Sequence, residues 1–412
     1  MTSFLQLALI IAIILVAAKS AGYLSTRINQ PSVFGEILVG VILGPSLFNM
    51  MEFSFISDTH LHEMISLMGE FGVLLLMFLA GLELHLHDLL KSAKVAAYAG
   101  ILGVLLPVGL GIGFGGLVGM DLNLSIFLGL TLGATSVSIS AQVLIELKMI
   151  RSRVGYGLLG AAVFDDVLVL LLLSIFLAVI SGSTSLVGIL IAIGKMLLFL
   201  GVSTAVGLWV LPFIVRITQK RSISQGTTTL AVVLMLLFGA AAELVGGMAA
   251  ITGAFIAGLM FARTPEKNKI ETGFHSLAYA LFVPIFFVSI GLGVNLRAVN
   301  SSSIWILLGI TVLAILGKVL GAGAGALFSK FSFKESLQIG IGMVSRGEVG
   351  LIIAKIGFDG GYLTNDLFTA IVGMILITTL ITPPLLRAAF HQKKSIPLVD
   401  PPVEIPPKKE NL

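Results

Sequence analysis

The sequence predicts an all-α polytopic membrane protein with about thirteen transmembrane helices. Of its 412 residues, 57% are hydrophobic and only 11% are charged, whereas soluble domains carry about 25% charged residues. Apolar stretches of roughly 20 residues, the length needed to cross a bilayer, recur from end to end. Between them the short loops alternate in basic charge. A segment crossing lipid can satisfy its own backbone only as a helix or a closed barrel, and runs of this length fit the helix. The 47 glycines suit helices that approach closely in lipid.

In chain order, the first apolar run, around Phe4 to Ala18, lacks a basic leader and a clear small-residue cleavage site. It reads as a retained first helix and not a removed signal peptide. Later spans centre near Val41, Leu75, Leu106, Ala134, Val169, Leu200, Leu234, Phe255, Phe286, Ala314, Val349 and Leu376. Arg27, Lys91, Lys94, Lys148, Arg151, Arg153, Arg216, Lys220, Arg221, Arg263, Lys267, Lys269, Lys330, Lys334, Arg387, Lys393 and Lys394 then fall on one side. Asp58, Asp121, Asp359 and Asp366 fall on the other, with Arg297 and Lys355 as basic exceptions. Positive-inside bias puts the N-terminus outside and the C-terminus in the cytoplasm, and it requires an odd number of crossings. Residues 392–412, SIPLVDPPVEIPPKKENL with its flanking Lys, read as a disordered, Pro-rich cytoplasmic tail.

Several chemistries are excluded. The net charge of +4 is scattered over loops, which gives no nucleic-acid footprint. With no cysteine there is no disulfide, thiolate metal site or Cys nucleophile. The histidines show no metal-ligand spacing. Phosphate-binding loops of the Walker type and GxSxG elbows are absent, and nothing calls for a cofactor.

What stands out is charge inside the spans. Asp165 and Asp166 lie side by side in AAVFDDVLVLLLLSIF. An acid at the bilayer centre costs roughly 2.5–3.5 kcal/mol on insertion scales, so two of them require a role. Helical neighbours point about 100° apart, so one carboxylate can meet a partner within the bundle while the other faces an aqueous cavity. Lys318, deep in SIWILLGITVLAILGKVLGAGAGALF, is the expected partner of Asp165. Arg346 and Glu348, in GMVSRGEVGLIIAKIG, are two residues apart and do not share a helical face; a broken helix explains them better. A second break is expected in LTLGATSVSISAQVLIEL, where the hydroxyls of Thr135 and Ser136 would serve ion binding and those of Ser138 and Ser140 would bond helix to helix. Glu36 reads as a cap or packing group near the cytoplasmic interface. Glu70, Lys195 and Glu243 read as helix-end or interface groups. Paired interrupted spans in corresponding places of two halves point to inverted repeats around a midplane site.

Together GEILVGVILGPS, GATSVSIS, VFDDV, the Lys318 helix and MVSRGEVGLI resemble the monovalent cation:proton antiporters of the second cation:proton antiporter family, nearest to its NapA- and GerN-like members. The resemblance runs over nearly the whole of residues 1–391. It implies a fold of the NhaA/NapA type with two crossing broken helices. Its core helices would lie at about 93–180 and 304–391, and its dimerisation helices at about 3–86 and 186–292. It implies that Asp166 carries Na+ or a proton, that Asp165 pairs with Lys318, and that Thr135, Ser136, Arg346 and Glu348 belong to the breaks. Retention of Asp165 sets the chain apart from Kef-type potassium efflux proteins, which usually have Gln there. The implied activity is electrogenic sodium/proton exchange by an elevator-type homodimer in a bacterial inner membrane, serving pH and sodium homeostasis. Potassium/proton exchange is the alternative, Li+ suits the same oxygen ligands, and a sodium-coupled symporter of the same broad fold is a more distant one. A channel and an intramembrane aspartyl protease are rivals from other classes; the GxGD segment usual in the latter is missing.

Overall fold

The computed structural model describes residues 2–53, 56, 60–180, 186–220, 225–295, 297 and 301–390, and every regular element among them is helical. The tail at 392–412, Asp58, Arg221, Lys393 and Lys394 lie outside the described residues, as do the side chains of Lys220, Glu348 and Asp359. The helices are α1 (Ser3–Arg27), α2 (Ser32–Leu43), α3 (Leu61–Glu83), α4 (Leu86–Lys91), α5 (Ala93–Leu117), α6 (Leu122–Gly133), α7 (Val137–Glu146), α8 (Arg153–Ile180), α9 (Leu186–Ala205), α10 (Leu211–Lys220), α11 (Gly226–Ala241), α12 (Ala250–Phe261), α13 (Lys267–Leu277), α14 (Val283–Leu292), α15 (Ser301–Phe328), α16 (Phe333–Gly342), α17 (Glu348–Asp359) and α18 (Asn365–Phe390). Single π-helical turns join α9 to α10, extend α11 and join α13 to α14.

Among the described residues, ten helical segments are long and apolar enough to cross a membrane, and three shorter apolar helices accompany them. The expected span centres fall within helices, except that Ala134 falls in the gap between α6 and α7. The spans differ in length. Helices α2, α12 and α17 have 12 residues each, or about 18 Å at 1.5 Å per residue, too short to cross alone.

Hydrogen bonds at the helix ends sort the ends into two faces. At one, Arg151 Nε donates to the Glu83 carbonyl at 2.8 Å, Arg153 donates to the Lys330 carbonyl at 3.2 Å, and the Ser32 N–H donates to Glu146 Oε2 at 2.9 Å. These are the ends that the basic loops had grouped together. At the other, the Ser46 hydroxyl donates to the Val294 carbonyl at 2.8 Å, and Arg297 binds the carbonyls of Ser46 and Leu47. Arg297, one of the two basic exceptions, is thus spent on backbone carbonyls.

Two glycine seams position the functional centre. Residues four apart share a helix face, and Gly317, Gly321 and Gly325 line the side of α15 that meets α5. A Cβ at Gly321 would lie 2.4 Å from the Leu102 carbonyl oxygen, and one at Gly325 2.3 Å from that of Tyr98. The two backbones therefore touch, as small residues permit in lipid, and Lys318 is carried into the interior beside the seam. The second seam seats α12: a Cβ at Gly253 would meet the Phe238 carbonyl at 2.1 Å and one at Gly258 the Phe78 carbonyl at 2.0 Å. That fixes α12 against α11 and α3.

Candidate functional site

Helix α8 carries the two acids into the middle of the bundle, where Asp165 is fully buried and Asp166 is 2% exposed. Helix α5 makes room for them: a Cβ on Gly100 would lie 2.8 Å from the Ala161 carbonyl oxygen and 3.5 Å from the Asp165 nitrogen. On one flank of α8, Lys318 Nζ of α15 donates to Asp165 Oδ1, and both side chains are wholly shielded from solvent. On the other flank, the Thr252 hydroxyl of α12 donates to Asp166 Oδ2 at 3.4 Å. The 100° step between helical neighbours thus separates the two carboxylates onto different helices.

Both expected interruptions are present and lie against each other. α6 stops at Gly133, Ala134 and Ser136 are extended with Thr135 non-helical between them, and α7 resumes at Val137. α16 stops at Gly342, and α17 resumes at Glu348. Breaking a helix inside a bundle frees backbone groups that must find partners. Here each break supplies them to the other. The Ser136 N–H donates to the Ser345 carbonyl at 2.8 Å, and the Ser345 hydroxyl donates back to the Ser136 carbonyl at 2.8 Å. The Ser140 hydroxyl donates to the Gly342 carbonyl. Gly347 allows the close approach, since a Cβ there would lie 2.6 Å from Ser136 Oγ.

Arg346 closes the arrangement. Its guanidinium is fully buried and donates to the carbonyls of Ala134 and, at 3.1 Å, Ala314. The first of these is the C-cap of α6, so the cation sits at the negative end of a helix dipole. Arg346 and the Thr135 hydroxyl are also within interaction range of Asp165. The structure therefore brings Thr135, Asp165, Lys318 and Arg346 together, with Asp166 on the adjoining flank. Ser136 serves mainly as the joint between the breaks: its hydroxyl meets Ser138 Oγ at 3.1 Å. Glu348 contributes the first residue of α17, its side chain being outside the described set.

Three participants were not anticipated. Two are Thr252, bonded to Asp166, and Ser345, bonded to Ser136. The third, Thr379 of α18, donates its hydroxyl to the Arg346 carbonyl. Thr252 and Thr379 are single hydroxyls in apolar helices, which give no sequence signal because a helix can satisfy them internally. A polar bridge at the basic end was also unread. Gln142 Nε2 donates to Glu146 Oε1 at 2.9 Å, the Tyr279 hydroxyl donates to Gln142 Oε1 at 2.8 Å, and Lys19 Nζ donates to the Tyr279 carbonyl at 2.8 Å. Glu36 is buried beside it, within interaction range of Lys19 and Glu146. A cavity of about 460 Å³ at that end is lined by Asp88, Lys91, Lys94, Arg151 and Arg153 among others, and does not reach the acid pair.

Comparison with known proteins adds an independent line. The family described as sodium/hydrogen exchanger, transmembrane, matches residues 10–390. The Na(+)/H(+)-K(+) antiporter GerN of Bacillus cereus is 40% identical over 383 residues, covering 93% of this chain and 96% of the relative. The Na(+)/H(+) antiporter of Enterococcus hirae is 37% identical over 380 residues, covering 92% and 96%. Among solved structures, the sodium proton antiporter MjNhaP1 from Methanocaldococcus jannaschii superposes with a TM-score of 0.64, at 18% identity, over 94% of this chain and 96% of that one. At that identity the likeness concerns the fold alone.

Proposed function

The chain belongs to the sodium/hydrogen exchanger family and is a multi-pass monovalent cation/proton antiporter, and from that premise we propose that Asp166 is the carboxylate for which Na+ and H+ compete. The observation that carries the assignment is the division of labour along α8. Asp165 is matched by a buried ammonium, whereas Asp166 meets a hydroxyl from a different set of helices. An acid locked to Lys318 is poorly placed to exchange ligands. An acid at the seam between two helix groups can be offered to either side.

In this reading Thr135, at the break of α6 and α7, supplies an oxygen toward the cation, and Ser136, expected beside it as a ligand, holds the break in place. Arg346 and Glu348 set the charge of the second break. Asp166 gives up its proton on one side and takes a cation there. The helices at about 93–180 and 304–391 then move as a core past those at about 3–86 and 186–292, and the second face opens. One carboxylate cannot hold both loads, so exchange is obligatory. If cation binding also opens the Asp165–Lys318 pair, a second proton is carried and exchange is electrogenic. The two crossing breaks support an inverted-repeat fold of thirteen membrane segments, with α2, α12 and the α16–α17 pair as the shorter members. The reading includes a homodimer in the bacterial inner membrane, with the basic end in the cytoplasm. Sodium is the primary cation; the potassium in the name of the GerN relative makes K+ the second to test.

The test is exchange in proteoliposomes. Asp166→Asn abolishes sodium-driven proton movement, and antiport surviving in that variant sinks the assignment.

A further inference from the structure

Most buried threonine hydroxyls of the long helices bond within their own helix. Thr131, Thr311, Thr378 and Thr382 each donate to the carbonyl four residues back. Thr252 does otherwise. It lies in the first turn of α12, whose start is set by a non-helical stretch in which Gly247 has φ +62°. The residue four back, Met248, precedes the helix, so no helical carbonyl is in place for the hydroxyl. It donates instead across the bundle to Asp166 Oδ2 at 3.4 Å, and Thr252 is itself only 2% exposed. The same turn points the positive end of the α12 dipole toward that region.

We propose that Thr252 is the positioning residue by which the scaffold holds the unloaded carrier, so that the core does not change faces empty. The inference rests on the reading of Asp166 as the ion carrier. Its physical content is a difference between two states. A hydrogen bond to an ionised carboxylate is roughly twice as strong as one to a neutral acceptor, and helix-dipole attraction acts on charge. The 3.4 Å separation is long for a hydroxyl donor, so the hold is modest, and what attraction it has is greatest while Asp166 is ionised. When Asp166 takes up a proton or a cation, the net charge facing α12 falls and the hold weakens. A group that binds one state more tightly retains the protein in that state. Thr252 thus slows the one movement that would uncouple the two fluxes, the return of an empty core.

The test uses full-length protein in proteoliposomes with equal pH on both sides. Sodium uptake driven by an imposed membrane potential is measured alongside proton counterflow. In Thr252→Val, sodium uptake unmatched by protons rises about fivefold, as the loss of a modest hydrogen bond allows, and the protons moved per sodium fall. Thr252→Ser, which keeps the hydroxyl, restores both. A purely structural role would slow both fluxes together and leave their ratio alone. Parental ratio and parental uncoupled uptake in Thr252→Val overturn the proposal; Thr252→Ala provides the same reading should Val not pack. Failure here with Asp166→Asn inactive condemns only the hold, whereas an active Asp166→Asn removes the carrier beneath it.

Discussion

The two flanks of α8 treat neighbouring carboxylates in opposite ways. Toward α15, Asp165 meets a lysine with no solvent access on either side, next to a backbone-to-backbone glycine seam. Toward α12, Asp166 meets the Thr252 hydroxyl at 3.4 Å. The first flank has the character of architecture, with charge cancelled by charge away from solvent. On the proposed reading the second is a working surface, whose contact strength varies with the charge on Asp166. Similar costs of insertion thus serve two ends, and substitution should separate them.

The largest expected effect on stability belongs to the Asp165 flank. Asp165→Ala leaves Lys318 buried without its partner, and breaking a buried pair typically costs about 3–5 kcal/mol. Thermal unfolding in detergent should show that loss. Asp165→Asn combined with Lys318→Gln should recover most of it, since removing both charges can be nearly neutral. Asp166→Asn should change stability by less than about 1 kcal/mol while abolishing transport. If both single acid variants unfold alike, the contrast between the flanks is wrong.

Arg346 comes next, as the cation that joins the first flank to the crossing. Arg346→Gln withdraws a buried guanidinium from the Ala134 and Ala314 carbonyls. Charge-assisted hydrogen bonds contribute about 1.5–3 kcal/mol, so a loss of about 2 kcal/mol is expected by the same unfolding measurement. Transport should fall with it, because the C-terminal end of α6 faces the break that carries Thr135.

What could be read beforehand follows the same division. Asp165, Asp166, Lys318 and Arg346 were conspicuous because a charge in an apolar run is expensive and needs a reason. The clustered hydroxyls of GATSVSIS and the glycines around Arg346 marked the two breaks, since interrupted helices need substitute partners. Thr252 gave no such sign: one threonine in an apolar helix is ordinary, and its importance comes from a helix start that only the three-dimensional path reveals. The short lengths of α2 and α12 were hidden for a related reason. Their apolar runs continue beyond the helix ends, and hydropathy does not register where a chain folds back. The bridge through Gln142, Glu146 and Tyr279 joins residues up to 137 positions apart, with no charged pair to announce it.

The smallest expected effect belongs to that bridge. It ties α7, expected to travel with the core, to α2 and the α13–α14 segment, expected to stay. Its bonds of 2.8–2.9 Å are well formed, whereas the Asp166 contact at mid-membrane is long. A core that swings away from the basic end must break them. Tyr279→Phe removes one link and leaves the ring in place, a loss of about 1 kcal/mol. Placed on an equilibrium between closed and open faces, that is a shift of about fivefold toward opening. The absence of cysteine from the chain makes the measurement clean, because Ala141→Cys puts the sole thiol on α7 at a fully buried position. An impermeant thiol reagent added at the basic end should label it about fivefold faster in the Tyr279→Phe background. Equal labelling in both backgrounds would mean that the bridge does not bear on the opening seam, and that the hold on the core lies at Asp166 and Thr252 alone.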